Sequence, residues 1–199
     1  MPKKFSHIWN RELSGIPGAT LLALRIAYDR LADRLATIVW SGNLRELVNG
    51  SVIQRKVIIR QPGNIAIGKN CSIAPYTSLT SEFFDSCLCI GDGVTINRNV
   101  HVDYSGGLII GADALFSENV MIFTHSHGYN PRSIPKKTPL MIGEGVWLGA
   151  NVIITEGVNH IAPGTIVAAG AVVTREIVKP GIYGGVPASW IKDIVDPSA

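Results

Sequence analysis

From residue 67 onward, apolar residues return at every sixth position. Ile67, Ile73 and Leu79 form one such triplet. Ile90, Ile96 and Val102 form the next, then Ile110, Phe116 and Ile122, then Ile142, Leu148 and Ile154, then Ile161, Val167 and Val173. A helix buries residues at a period of about 3.6, whereas an even spacing keeps strand side chains on one face. The residue after the anchor is usually small, as at Gly68, Ala74, Gly91, Gly111, Gly143, Gly149, Ala162 and Ala168. A small or β-branched residue often stands four after it, as at Thr77, Val94, Val100, Val120, Val146, Val152 and Val158. Three such units predict one triangular turn of a parallel β-helix, with the anchors stacked along a central core. A small residue behind each anchor leaves room at the corner.

The breaks in register carry as much information. Leu79 to Ile90 is eleven residues, Val102 to Ile110 eight, Ile154 to Ile161 seven and Ile122 to Ile142 twenty. The longest step inserts fourteen residues relative to the repeat and holds the stretch MIFTHSHGYN, with His125 and His127 one residue apart. Insertions leave a solenoid as loops, and loops are where function collects. Pro131, Pro135 and Pro139 stiffen this one and stop it continuing as strand. The immediate neighbours leave three roles open for the histidines: metal ligand, catalytic base or polar loop residue.

Ahead of the repeat, ATLLALRIAYDRLADRLATIVW reads as a helix. Leu24, Tyr28, Leu31, Leu35 and Ile38 recur at steps of four and three and make one apolar stripe. Arg25 and Asp29 can pair across a turn, and with Arg30, Asp33 and Arg34 they exclude a spanning helix. The stripe is expected to pack on its own domain or on a partner subunit. Weak association with a membrane surface and contact with a substrate carrier stay open. The expected division is an N-terminal helical segment over 1–50, a β-helix over 51–180 with a loop at 123–141, and a short tail over 181–199. MPKKFSHIWNRELSG has no apolar run of the kind a secretory signal needs.

Composition adds bounds. Of 199 residues, 46% are apolar and 17% charged, which supplies a core and argues against disorder. A net charge of +3, with no basic cluster interleaved with aromatics, gives no reason to expect nucleic acid. The three cysteines, Cys71, Cys87 and Cys89, are odd in number and form no CxxC, so a reducing cytoplasm is expected. Cys87 and Cys89 would share a strand face and are read as small apolar fillers rather than a metal pair.

The stretches IGEGVWLGANVIITEGV and IVAAGAVVTREIVKPGIYGGVPASWIKD resemble the C-terminal block of the hexapeptide-repeat acyltransferases. The matching features are a Trp-containing coil, a Gly-Ala-Gly-Ser-like turn, Val-Val-Thr, a basic residue and a Gly-x-Pro-Ala ending. The resemblance spans about residues 60 to 193 and is strongest to the maltose and galactoside acetyltransferases and the polysaccharide O-acetyltransferases. It implies an all-β fold, a left-handed parallel β-helix. It also implies homotrimers with active sites between subunits, acetyl-CoA as cosubstrate, no metal, and a carbohydrate or other small-molecule acceptor. The family's Tyr-Thr-x-x-His-Pro is similar to Phe123-Thr124-His125-Ser126-His127-Gly128, which puts the general base on His127 and leaves His125 beside the substrate. Gly128 stands where Pro is common. The resemblance puts the acceptor-side Asn on Asn97, and the cofactor side on Trp147, Ala150, Ala169, Thr174 and Arg175. The basic residue that often follows Gly-x-Pro-Ala is absent, with Ser189 and Trp190 in its place, so a CoA phosphate contact passes to Lys179 or Lys192.

Acetyl transfer from a thioester to a hydroxyl needs a base, and an imidazole near neutral pKa suits that role. It needs a donor for the thioester oxygen, for which the Gly149 backbone N–H is the candidate. It also needs cations near the CoA phosphates, for which Arg175 and Lys179 are placed. A direct transfer in a ternary complex requires no acetyl-enzyme. Three rivals stand beside this reading. A γ-class carbonic anhydrase would bind zinc through His101, His125 and His127, although their spacing suits that class poorly. A serine acetyltransferase would carry a larger helical domain. A non-catalytic scaffold would need no histidine loop.

Overall fold

The computed structural model describes residues 16–194. Helix α1 (Ile16–Ser41) leads into a left-handed parallel β-helix of short strands arranged as three sheets along one axis. The first sheet opens with Glu46–Leu47, the second with Val52–Ile53 and the third with Ile58–Ile59. Neighbouring strands within a sheet come from successive coils. Ile90 lies beside Ile67 and Ile110, Phe116 beside Ile96 and Leu148, and Ile122 beside Val102 and Ile154. The anchors picked out by the six-residue spacing therefore form three inward ladders, and all of them are buried.

A further coil precedes the five expected ones. Leu47, Ile53 and Ile59 pair with Ile67, Ile73 and Leu79, so the β-helix begins at Glu46 rather than at 51. Val48, Gln54 and Arg60 follow these anchors where Gly or Ala marks the later coils, which leaves only half of the repeat signature to read. At the far end, Ile182–Gly184 extends the second sheet and pairs antiparallel with Ser189–Lys192.

Two features close the corners. Asn99, Asn119 and Asn151 stand at successive levels of the corner between the second and third sheets, with φ of 59°, 61° and 59°. Asn tolerates this left-handed region better than most residues. The Asn99 side chain also donates to Asn119 Oδ1 at 2.7 Å, tying two coils together. At the preceding corner position the backbones nearly touch: a Cβ on Gly149 would lie 2.6 Å from the Ala169 nitrogen.

Of the two packings expected of α1, the structure excludes the first and leaves the partner subunit. The apolar stripe does not pack on its own domain. Leu24, Tyr28, Leu31, Leu35 and Ile38 are 55–66% exposed. The helix docks through the opposite, mixed face instead, with Trp40 packed against the core and a polar row beside it. Asp29, Asp33 and Thr37 recur every four residues and face the edge strand of the first coil. Thr37 Oγ1 accepts from the Ile53 N–H at 3.1 Å, Asp33 accepts from the Arg55 N–H at 3.1 Å, and Asp29 pairs with Arg55 at 2.6 Å. Satisfying those free backbone donors covers a sheet edge that would otherwise be open to pairing. Among the described residues, no helix is long and apolar enough to cross a membrane. Cys71 is buried, whereas Cys87 and Cys89, read as apolar fillers, are exposed and half-buried, with the Arg45 guanidinium 3.2 Å from Cys89 Sγ.

Candidate active site

Every register break falls at the same corner, where the chain passes from the third sheet to the first. The loops therefore pile up along one edge of the prism. The eleven-residue step supplies Glu82, the eight-residue step follows Asp103, and the twenty-residue step supplies the histidines. In the last of these, His125–Ser126 pairs antiparallel with Lys136–Lys137. The insertion is thus a hairpin rather than an irregular loop. Lys137 pins it to the older loop, with Nζ 2.5 Å from Asp85 and 4.3 Å from the centre of the Phe83 ring.

Asp103 is the hub of the site. Its carboxylate is buried and accepts from the Ser105 N–H at 3.1 Å, the Ser105 hydroxyl, the Thr124 N–H at 2.7 Å and His125 Nδ1 at 2.8 Å. Burial alone would push its carboxyl up. The bonds from Ser105, Thr124 and His125 outweigh it and hold the carboxyl below its ordinary value. Ser105 Oγ in turn accepts the Glu82 N–H at 2.9 Å, so the hub fixes the backbone that carries Glu82.

The two histidines are held by different groups. His125 Nδ1 faces the Asp103 carboxylate, and His127 Nδ1 faces the Ser133 carbonyl at 3.0 Å. Both partners only accept, so each Nδ1 carries a proton, and in the neutral ring the lone pair is then on Nε2. Both Nε2 atoms lie 3.6 Å from Glu82, one from each carboxylate oxygen. His127 is the more open of the two, 30% exposed against 15% for His125. A cavity of about 310 Å³ adjoins His125, lined also by Arg60, Thr80, Glu82, His101 and Phe123. Burial pushes His101 below its ordinary pKa, and its Nδ1 lies 2.8 Å from Ser78 Oγ.

The remaining predicted residues lie elsewhere on the same chain. Asn97 stands at the corner between the second and third sheets, and its Nδ2 donates to the Phe116 carbonyl at 2.9 Å, a capping contact between coils. Trp147 is half-exposed on the second sheet and donates to Ser117 Oγ at 3.1 Å. Gly149 does not offer its N–H to a ligand, because that group donates to the Val167 carbonyl at 2.8 Å within the coil ladder. The N–H groups of Ala150 and Ala169, on adjacent coils, have no hydrogen-bond acceptor among the described residues. Thr174 and Arg175 are exposed just past the strand Val172–Val173. Lys179 is paired at 3.0 Å with Asp193. His101 does not join His125 and His127: among the described residues the side chains that converge are Glu82, His125 and His127. Spacing along the chain did not point to Glu82 or Asp103. The only trace was that each stands just past the last anchor of its coil, where the register breaks.

No protein-family model matches the chain. WbbJ of Escherichia coli, named for O-acetyl transfer in lipopolysaccharide biosynthesis, is 31% identical over 173 residues, which covers 80% of this chain and 84% of that protein. The chain belongs to the hexapeptide-repeat acyltransferases. The galactoside O-acetyltransferase of Lactococcus lactis is a further relative of this acyltransferase, 31% identical over 134 residues, 65% of this chain and 63% of that protein. Among solved structures, AntD, an N-acyltransferase from Bacillus cereus in complex with dTDP and 3-hydroxybutyryl-CoA, superposes with a TM-score of 0.69 at 23% identity, over 78% of this chain and 86% of that one. The hexapeptide-repeat acetyltransferase VCA0836 of Vibrio cholerae, complexed with acetyl coenzyme A, gives 0.55 at 23% identity, over 80% and 76% of the two chains. These two likenesses bear on the fold.

Proposed function

We propose that this acyltransferase moves acetyl from acetyl-CoA to a hydroxyl of a sugar or polysaccharide precursor, with His127 as general base. The observation that carries the reading is the state of the His127 ring. Its Nδ1 proton is held by the Ser133 carbonyl, which leaves the Nε2 lone pair at the open side of the inserted hairpin. In the reaction the acceptor hydroxyl gives its proton to Nε2 as its oxygen attacks the thioester carbon. The carbon–sulfur bond then breaks, and the departing thiolate takes the proton back from the imidazolium. Asp103 and His125 are positioning residues that set the polarity around this ring. The free N–H groups of Ala150 and Ala169 replace Gly149 as donors toward the pantetheine or the thioester oxygen.

The base and the cofactor-side residues occupy different corners of the prism, so one chain does not bring them together. This supports a homotrimer in which the hairpin of one subunit faces the Ala150 and Ala169 corner of the next. Three free cysteines support a reducing cytoplasm as its place of action. The test is thiol release from acetyl-CoA against a panel of sugars and nucleotide-sugars. His127→Ala is expected to lower kcat by about 10²–10⁴-fold with a smaller effect from His125→Ala. Loss of turnover in His125→Ala with turnover kept in His127→Ala would refute the assignment.

A further inference from the structure

Two imidazoles and a carboxylate meet at the root of the hairpin with their acceptor atoms turned inward. With both Nδ1 protons committed, His125 Nε2, His127 Nε2 and the Glu82 oxygens are all lone-pair donors. Their ligand atoms lie within 4.8 Å of one another. Three acceptors facing one another repel unless a proton or a metal cation sits between them. We propose that this donor set binds a divalent transition-metal ion, zinc foremost, and that the bound ion blocks acyl transfer. The blocking part rests on the reading of His127 as base; the binding part does not.

The geometry fits a metal on three counts. Tetrahedral ligand atoms about 2 Å from zinc stand roughly 3.3 Å apart. The two imidazole-to-carboxylate separations here are 3.6 Å, one to each Glu82 oxygen, and one ligand atom from each residue lies within 4.8 Å of the others, so a small movement of the half-exposed Glu82 side chain closes the set around an ion. Imidazoles that ligate metals commonly donate their second N–H to a carboxylate or carbonyl, which fixes the ring and raises its basicity. Asp103 and Ser133 already supply both partners. The carboxylate of Glu82 is 51% exposed, so an ion can enter and a fourth position stays open to water. Imidazole with carboxylate is a donor set that suits zinc. An ion seated there takes up the lone pair on His127 Nε2 that must receive the acceptor's proton. The metal is therefore an inhibitor, in contrast to the catalytic zinc of a carbonic anhydrase.

The experiment uses the full chain with Cys87→Ser and Cys89→Ser, which removes the accessible thiols as competing ligands. Zinc is titrated against a chromophoric chelator, and acetyl transfer is followed in parallel. One tightly held zinc per chain is expected. Glu82→Gln, His125→Ala and His127→Ala should each weaken it about tenfold or more, and Asp103→Asn about 10–100-fold. The Glu82 side chain is 51% exposed and Gln keeps its shape, so that variant keeps the fold. Zinc should inhibit at the concentration where it binds, and excess chelator should restore full activity. Unchanged zinc affinity in the His125→Ala/His127→Ala double variant would overturn the site. Chelator that abolishes activity instead of restoring it would overturn the inhibition. Zinc binding as expected with full turnover in His127→Ala would leave the site standing and sink the base. No zinc binding with an inactive His127→Ala would do the reverse.

Discussion

Replacing Asp103 by Asn tests the hub with almost no change of shape. Oδ2 accepts from the Thr124 N–H and from His125 Nδ1, with the Thr124 hydroxyl shared between it and the Asp103 carbonyl, and Oδ1 accepts from the Ser105 N–H and hydroxyl. Whichever oxygen becomes an amide nitrogen, one buried backbone N–H and at least one side-chain donor lose their acceptor. The Ser105 hydroxyl or the His125 ring can readjust, but the backbone N–H cannot. At about 1–3 kcal/mol for the buried N–H left without an acceptor, and about 1 kcal/mol for the hydrogen bond that the readjusting side chain gives up, the variant should lose roughly 2–4 kcal/mol. In a chain of this length each kcal/mol moves Tm by about 2–4 °C, so a fall of about 5–15 °C is expected at neutral pH. The assay is thermal unfolding by circular dichroism across a pH series. The sign follows from the depressed carboxyl of Asp103 in the folded chain. Its stabilisation is complete above the ordinary carboxylate range and drains away as pH falls through about 4 toward the lower folded value. The gap between wild type and variant should therefore narrow in acid. A neutral-pH Tm within about 2 °C of wild type, or a gap that widens in acid, would refute the hub.

Two further substitutions probe the frame that carries the site. Phe116 is fully buried between Ile96 and Leu148, and Phe116→Ala should cost about 3–5 kcal/mol, read as a lowered urea midpoint; a midpoint like that of wild type would contradict a packed interior. Gly149→Ala would set a methyl 2.6 Å from the Ala169 nitrogen and 2.8 Å from the Val167 oxygen, both backbone atoms, and should cost about 1–3 kcal/mol through forced separation of two coils. An unaltered melting curve for that variant would show the coils to be less closely spaced than the structure places them.

How far each part could be read in advance follows from the range over which its cause acts. A coil is a local pattern: Ile142, Leu148 and Ile154 announce themselves by spacing alone, so five coils and the hairpin's position were legible. The first coil was not, because Val48, Gln54 and Arg60 hide its corners. Which way the α1 stripe faces was not legible, because a seam of Leu and Ile looks the same whether it packs on its own domain or on a partner subunit. The competing polar row of Asp29, Asp33 and Thr37 gains its meaning only from the free N–H groups of Ile53 and Arg55. Asp103 and His125 are 22 residues apart in sequence and meet only because one coil stacks on the next. Glu82 reaches the site from a coil earlier still. The availability of an N–H is equally invisible in sequence: Gly149 looked suitable, yet its proton belongs to the ladder, and the free donors are at its neighbour Ala150 and at Ala169.

The piling of every insertion on one edge has a practical consequence. Each wall of the pocket is supplied by a different coil, and a solenoid coil touches only its neighbours. The segment around Glu82 and the hairpin, joined through Lys137 and Asp85, can therefore be exchanged together, like a cassette in a rack, while the segment after Asp103 stays, because its buried Ser105 holds both Asp103 and the Glu82 backbone. Changing which acceptor the enzyme accepts becomes a problem of loop grafting at fixed strand register, with Asp103 and Thr124 left in place as the common mount.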